Sequence, residues 1–135
     1  VLLLVLDKDH TTSENIRHTK KFVVALPSED QKNTALDLGS VHGRDVGNKL
    51  QIKDVKTEKS QKFGLDVMSG ALAYFECELQ DEMLFEEKGI CLSKVVNVYV
   101  KDDSWDDKEE CFNPGFKRTL HHVTGSTFCS GGELV

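Results

Sequence analysis

Ala71-Leu72-Ala73-Tyr74-Phe75-Glu76-Cys77-Glu78-Leu79 decides the fold class of this chain. Ala71, Ala73, Phe75, Cys77 and Leu79 fall on one face, and Tyr74, Glu76 and Glu78 on the other. That period of two is the pattern of a strand with one face on a core. It makes Glu76 and Glu78 the outward face of a strand, not the paired carboxylates of a hydrolase. Ile90–Val100 follows as a second, Val-rich strand, and Phe22-Val23-Val24-Ala25-Leu26, bounded by Pro27, precedes both. Val1–Leu6 is apolar but too short for a signal core or a membrane span, so it reads as a buried strand whose partners lie elsewhere in a sheet.

Helices are short. Thr11-Thr12-Ser13-Glu14 has capping-box spacing and opens a helix over about residues 12–20, with His18, Lys20 and Lys21 suiting its negative pole. Ser28-Glu29-Asp30-Gln31 repeats the pattern and predicts a helix over about residues 28–38 that stops near Gly39. Residues 40–68, rich in Lys, Asp and Gly, read as one long covering or functional loop. Lys101–Glu110 carries six acidic residues against two lysines and reads as a solvated loop. The tail, Leu120–Val135, holds a strand-like piece and then Gly131-Gly132. No βαβ alternation supports a Rossmann sheet, so an antiparallel barrel is expected.

At 135 residues and 15.1 kDa the chain fits one domain with a real core. Hydrophobic residues make up 39% and charged residues 30%, as in an ordinary soluble globular protein. A net charge of −6, with no dense basic run, argues against nucleic acid or an anionic membrane as main partner. The four cysteines, Cys77, Cys91, Cys111 and Cys129, are widely spaced, with neither metal-ligand spacing nor a disulfide framework. Cys77 and Cys91 read as small core residues. A reducing, cytoplasmic setting is the expectation.

Two segments could carry chemistry. Asp7-Lys8-Asp9-His10-Thr11-Thr12 joins a strand to a helix start, where free N–H groups and the helix dipole favour an anion. It reads either as a phosphate cradle built on Lys8, His10, Thr11 and Thr12 or as a plain helix start with solvated cations. Gly43-Arg44-Asp45, with Lys49 four residues on, packs a turn, a fixed cation and a carboxylate together. It reads either as a ligand contact or as a salt-bridged corner. His121 and His122 are adjacent on a strand and face opposite ways, so one can meet a ligand while the other faces solvent or a partner, and they do not chelate one ion. Trp105 is expected to pack against a neighbouring loop or subunit. No nucleophile elbow, Walker loop or reactive-Cys context is present. Any chemistry therefore belongs to a bound cofactor.

The order of these pieces resembles the flavin reductase family, whose fold is the FMN-binding split barrel and which includes flavoredoxin-like proteins. Leu3–Leu6 with Asp7–Thr12 resembles the family's strand and phosphate-side loop. Phe22–Asp30 is similar to its strand–Pro–Ser–Glu element, and Gly39–Asp45 to its Ser-Gly-Arg-Asp motif, with His42 in place of Ser. Leu72–Cys77 resembles its "LAxxEC" strand, Val95–Val98 the strand that follows, and Leu120–Phe128 its closing element.

The resemblance implies a mainly β, antiparallel Greek-key split β-barrel with two or three short helices. Residues 1–135 would be a single domain, N-terminally truncated, with the family's first strands and their isoalloxazine contacts lying before Val1. It implies a homodimer that binds FMN near the subunit interface, takes hydride from NADH or NADPH, and passes reduced flavin to an acceptor or a monooxygenase. By the same resemblance Lys8, His10, Thr11 and Thr12 hold the FMN phosphate, and Gly43, Arg44 and Asp45 lie beside the flavin or the nicotinamide entry. Glu86-Glu87-Lys88 stands where many members carry Gly-Asp-His, Gly47-Asn48-Lys49 replaces the usual Asp-Lys step, and Ala25 stands where Asn is common. Those departures keep a non-catalytic FMN-binding or electron-carrier protein as the alternative.

Overall fold

The computed structural model describes residues 1–52, 55–113 and 115–131. In chain order the elements are β1 (Leu2–Val5), α1 (Thr11–Thr19), β2 (Lys21–Leu26), α2 (Lys32–Gly39), α3 (Gly43–Val46), α4 (Lys49–Ile52), β3 (Thr57–Lys59) and β4 (Asp66–Met68). Then come β5 (Ala73–Leu79), α5 (Glu82–Lys88), β6 (Ile90–Val100), β7 (Trp105–Asp106), β8 (Cys111–Phe112), β9 (Leu120–Thr124) and β10 (Thr127–Ser130). The main sheet is four-stranded and antiparallel, in the order β1-β6-β5-β2, and curls into a half-barrel. β3–β4, β7–β8 and β9–β10 are separate two-stranded ladders.

The sheet is buried on both faces at its centre. On one face Phe22, Cys77, Leu79 and Cys91 meet Ile16 of α1 and Phe85 of α5, with Leu2, Leu4 and Leu6 packed around them. On the other, Tyr74 packs with Ala71 and Val67, joined by Val23, Ala25 and Tyr99. The ring of Tyr74 stacks on Tyr99 at 4.8 Å and 16°.

Several expectations are corrected here. Glu76 does not face solvent: it is fully buried, because the segment around β3 and β4 folds over its side of the sheet. Ala71 lies before β5 and shares the Tyr74 side, its N–H donating to Tyr74 Oη at 3.0 Å. β1 is a half-buried edge strand, with Leu3 and Val5 exposed. Residues 40–68 are not one loop, since α3, α4 and the β3–β4 ladder lie within them, residues 53 and 54 being outside the described part. The short helices number three beyond a single turn, α1, α2 and α5, within the two or three expected, and α3 and α4 add one turn each. The Lys101–Glu110 segment is pinned at Trp105, whose ring meets Phe112 edge-on at 5.5 Å. Of the tail, residues 132–135 lie outside the described residues.

The second helix matches its signal closely. A 3-10 turn at Glu29–Gln31 leads into α2, and Gln31 Oε1 accepts from the Ser28 N–H at 3.1 Å, one half of a capping box. The helix ends at Gly39 as read.

Candidate functional site

β1 delivers the chain into a loop stapled from several sides. The Leu6 N–H donates to Gly89 O at 2.9 Å, fixing the exit of the strand beside the C-terminus of α5. The Asp9 N–H donates to Asp7 Oδ1 at 3.0 Å. Ser13, fully buried, donates its hydroxyl to Asp7 O at 2.6 Å. Arg17 Nη2 donates to Lys8 O at 2.8 Å, while its guanidinium lies over the Phe85 ring.

This geometry overturns the capping-box reading of Thr11 and Glu14. His10 is the N-cap, in extended conformation and with no side-chain cap hydrogen bond, so Thr11 is already helical. Glu14 turns instead to Arg44, with which it forms an ion pair. Among the described residues no acceptor meets the N–H groups of Thr11, Thr12 and Ser13. The start of α1 therefore presents uncompensated donors and the positive end of its dipole.

The second sequence segment comes to the same place. Arg44 Nη2 also donates to Asp9 O at 2.7 Å, tying α3 to the loop. The His42 ring approaches that of His10 at 6.0 Å, edge-on. A Cβ on Gly43 would stand 3.1 Å from Thr11 Cγ2, so only glycine lets α3 come this close without displacing that side chain. His10 and Thr11 are thus brought together with Gly43 and Arg44, while Thr12 follows on the first turn of α1 and Lys8 lies in the loop with its stem beside Gly89. Asp45 shares the one-turn α3, exposed, its N–H bonded to His42 O at 3.1 Å. Lys49 reaches away from this cluster and donates to Leu38 O at 3.0 Å.

The cluster suits an anion. Lys8 and Thr12 are exposed and Thr11 half-buried beside the free amides. His10 Nε2 lies 3.6 Å from Asp7 Oδ2, which orients the ring. Of the three nearby carboxylates, Asp7 is engaged by the Asp9 N–H and Glu14 by Arg44. Arg17 was not singled out from sequence, and His42 entered there only as a departure from the family's motif. Arg17 follows Asn15-Ile16 on α1, and its reach back to the Lys8 carbonyl depends on how tightly the loop folds.

The remaining candidates separate cleanly. Cys77 and Cys91 are buried and free, and burial pushes both thiols up. Cys111 and Cys129 are exposed and free. His121 Nε2 lies 2.8 Å from Thr119 Oγ1, whereas His122 Nε2 meets Gly125 O at 3.0 Å and lines a cavity on the other face of β9. Among the described residues no group of His, Cys, Asp or Glu is placed to hold a metal, and no helix is long and apolar enough to cross a membrane.

Comparison with known proteins bears on the family and the fold. An Escherichia coli K12 protein, the uncharacterized protein YddH, is 29% identical over 134 residues, covering 98% of this chain and 70% of its own length. The crystal structure of an FMN-binding domain of a flavin reductases-like enzyme from Shewanella baltica OS155 is 25% identical and superposes with a TM-score of 0.81, over 98% of this chain and 71% of that one. Flavoredoxin of Desulfovibrio vulgaris (Miyazaki F) shares the fold at 14% identity, with a TM-score of 0.81 over 98% of this chain and 70% of its own. Residues 1–123 match the family model of the flavin reductase like domain. With that match over most of its length, and a mainly β half-barrel of the split-barrel kind, the chain belongs to the flavin reductase like domain family.

Proposed function

We propose that this chain is an FMN-dependent oxidoreductase of the flavin reductase type, which takes hydride from NADH or NADPH onto bound flavin and passes the reducing equivalents to an acceptor or a partner monooxygenase. One observation carries the reading: the start of α1, preceded by Lys8 and braced by Arg44, has no side-chain cap and leaves its first amides free for an anion, in a chain of this family. The donor types at this helix start fit a phosphate monoester: free amides and two threonines on the first turn, with a lysine in the loop before it. The FMN-binding domain from Shewanella baltica supports flavin as the group held.

Flavin, when bound, supplies the hydride and electron chemistry; the chain supplies binding and orientation. Lys8 and Thr12 hold the phosphate. Thr11 is kept in register by the close approach of Gly43, and His10 is steered by Asp7 and His42. Arg44 holds the Asp9 carbonyl, so the loop stays clear of the first-turn amides. Gly43, Arg44 and Asp45 border the flavin or the nicotinamide entry. The working form in this proposal is a cytoplasmic homodimer of single-domain subunits.

The test is direct. Incubated with FMN and each nicotinamide in turn, the chain retains FMN and oxidises the reduced cofactor; neither retention nor oxidation overturns the proposal. Lys8→Ala and Thr12→Ala each weaken FMN binding by about 1–3 kcal/mol, as expected for a charge-assisted contact. Equal affinity in both variants would reduce the loop to a helix start.

A second reading, an FMN-holding electron carrier, is favoured by α5. Its exposed Glu86, Glu87 and Lys88 offer no histidine beside the exit of β1. Stable FMN binding without steady-state nicotinamide oxidation decides for the carrier.

A further inference from the structure

Away from the phosphate loop, the β9–β10 hairpin roofs a cavity of about 500 Å³ against α2. The hairpin is anchored where it begins: the Leu120 N–H donates to Pro27 O at 3.1 Å, Thr119 bridges Ser28, and Lys117 pairs with Asp30. Its residues alternate, so Leu120, His122 and Phe128 line the cavity while His121 and Cys129 pair on the opposite face. Pro27 and Leu36 complete an apolar floor. The volume is that of a small-molecule site, and its lining is apolar with few polar groups, as such sites are.

The polar groups define the ligand. His122 Nε2 lies 3.0 Å from Gly125 O, and a carbonyl oxygen only accepts, so Nε2 carries the proton. Nδ1 is then the ring's remaining nitrogen, and no partner meets it among the described residues. Its ring sits 4.9 Å from that of Phe128, inclined by 50°, which makes an aromatic corner. Gly39 and Ser40 bring the carboxyl end of α2, the negative pole of its dipole, to the rim, and Lys32 Nζ lies 6.0 Å from the Phe128 ring centroid. Ser40 Oγ already donates to Asp37 O, leaving its lone pairs as an acceptor.

An apolar slot with an aromatic corner, an unpartnered ring nitrogen, a hydroxyl acceptor and a negative helix pole calls for a neutral ring that donates a hydrogen bond. We propose that this cavity binds a phenol, its ring against Phe128 and its hydroxyl donated to His122 Nδ1. The segment from Gly39 to Arg44 lines this cavity at one end and braces the phosphate loop at the other. The site nevertheless stands without bound flavin, so its test is independent of the flavin proposal.

p-Cresol and anisole are isomers that differ in whether the oxygen carries a proton, and benzoate adds a charge. Titrated into the ¹⁵N-labelled full chain without flavin, p-cresol shifts the amides of Leu36, Gly39, Leu120 and Phe128. It binds roughly three- to tenfold tighter than anisole, the scale of one hydrogen bond, and benzoate binds more weakly than either. His122→Phe keeps the aromatic surface and brings p-cresol down to the affinity of anisole. Ala35→Trp fills the slot and abolishes both, while the remaining amides report an intact fold. Equal affinities of p-cresol and anisole for the unmodified chain, tighter binding of benzoate, or shifts clustered elsewhere overturn the proposal.

Discussion

At the scale of single residues, Glu76 shows how much a local pattern can hide. Both of its oxygens accept from the Lys62 N–H, at 3.0 and 2.9 Å; Oε1 also accepts from the Phe63 N–H at 2.8 Å and Oε2 from Asn97 Nδ2 at 2.7 Å. Burial by itself raises its pKa, but the Asn97 amide, the Phe63 and Lys62 N–H groups and the Ser60 hydroxyl outweigh it and hold the carboxyl below the usual range. The folded pKa lies below the unfolded one, so the stability this group contributes is complete above the ordinary glutamate value and is lost as pH falls through the folded pKa. Glu76→Gln should cost about 1–3 kcal/mol at neutral pH, because an amide turns an N–H toward buried donors. It should also flatten the acid limb of the stability curve. Urea unfolding across the acid range checks both, and an unchanged limb would mean that the carboxyl is not the acid-sensitive group. In sequence Glu76 was legible only as a polar residue in a strand. Alternation says which face it takes, not whether 61–68 will later close over that face.

Elements were legible where their signal is local, and missed where tertiary contact defines them. Ser28-x-x-Gln31 and Gly39 bounded α2 because caps and breakers act on neighbouring residues. α5 left a signal that periodicity alone does not catch. Asp81 Oδ1 accepts from the Leu84 N–H at 2.9 Å at its start, and Gly89 takes the left-handed conformation at its end, yet Phe85 is its only buried residue. β6 carries an irregularity that no count of valines predicts: opposite Glu76 and Cys77 its register passes from Asn97 to Val95 and skips Val96. That bulge turns Asn97 onto the face of Glu76. Gly89 ties these elements to the candidate site. Its φ is +70°, and a Cβ there would stand 2.5 Å from Leu6 O. Gly89→Ala should therefore destabilise the chain by at least about 1–2 kcal/mol from the backbone conformation, before the clash is counted. It should also loosen the exit of β1, and with it FMN affinity, although Gly89 has no role as a ligand. Denaturant unfolding and flavin titration on the same variant check the pair, and a loss of stability with unaltered affinity would uncouple the loop from its anchor.

For the whole molecule, no single motif carried the family resemblance; their order did, linking the Asp7–Thr12 loop to Gly43-Arg44-Asp45 and to the strands at 71–79 and 90–100. Order is preserved in sequence, whereas layering is not, and this is why family and sheet were legible while the burial of β1 was not. β1 pairs with β6 through Leu2–Val5 and forms one edge of the described sheet. Leu2 and Leu4 turn into the core, leaving Leu3 57% and Val5 75% exposed on the opposite face, with Ile90 and Leu92 beside them in register. An apolar face on an edge strand favours association, by strand pairing or by burial against another copy. In water this chain should self-associate across the micromolar range, and Leu3→Lys with Val5→Lys should shift it toward monomer by placing two ammonium groups on that face. The core residues Leu2 and Leu4 are untouched, so the far-ultraviolet spectrum should stay the same. Sedimentation velocity on both forms reads the shift. A chain that is already monomeric, or an assembly indifferent to both lysines, would move the contact between subunits away from β1 and leave the proposed homodimer to be sought on another face.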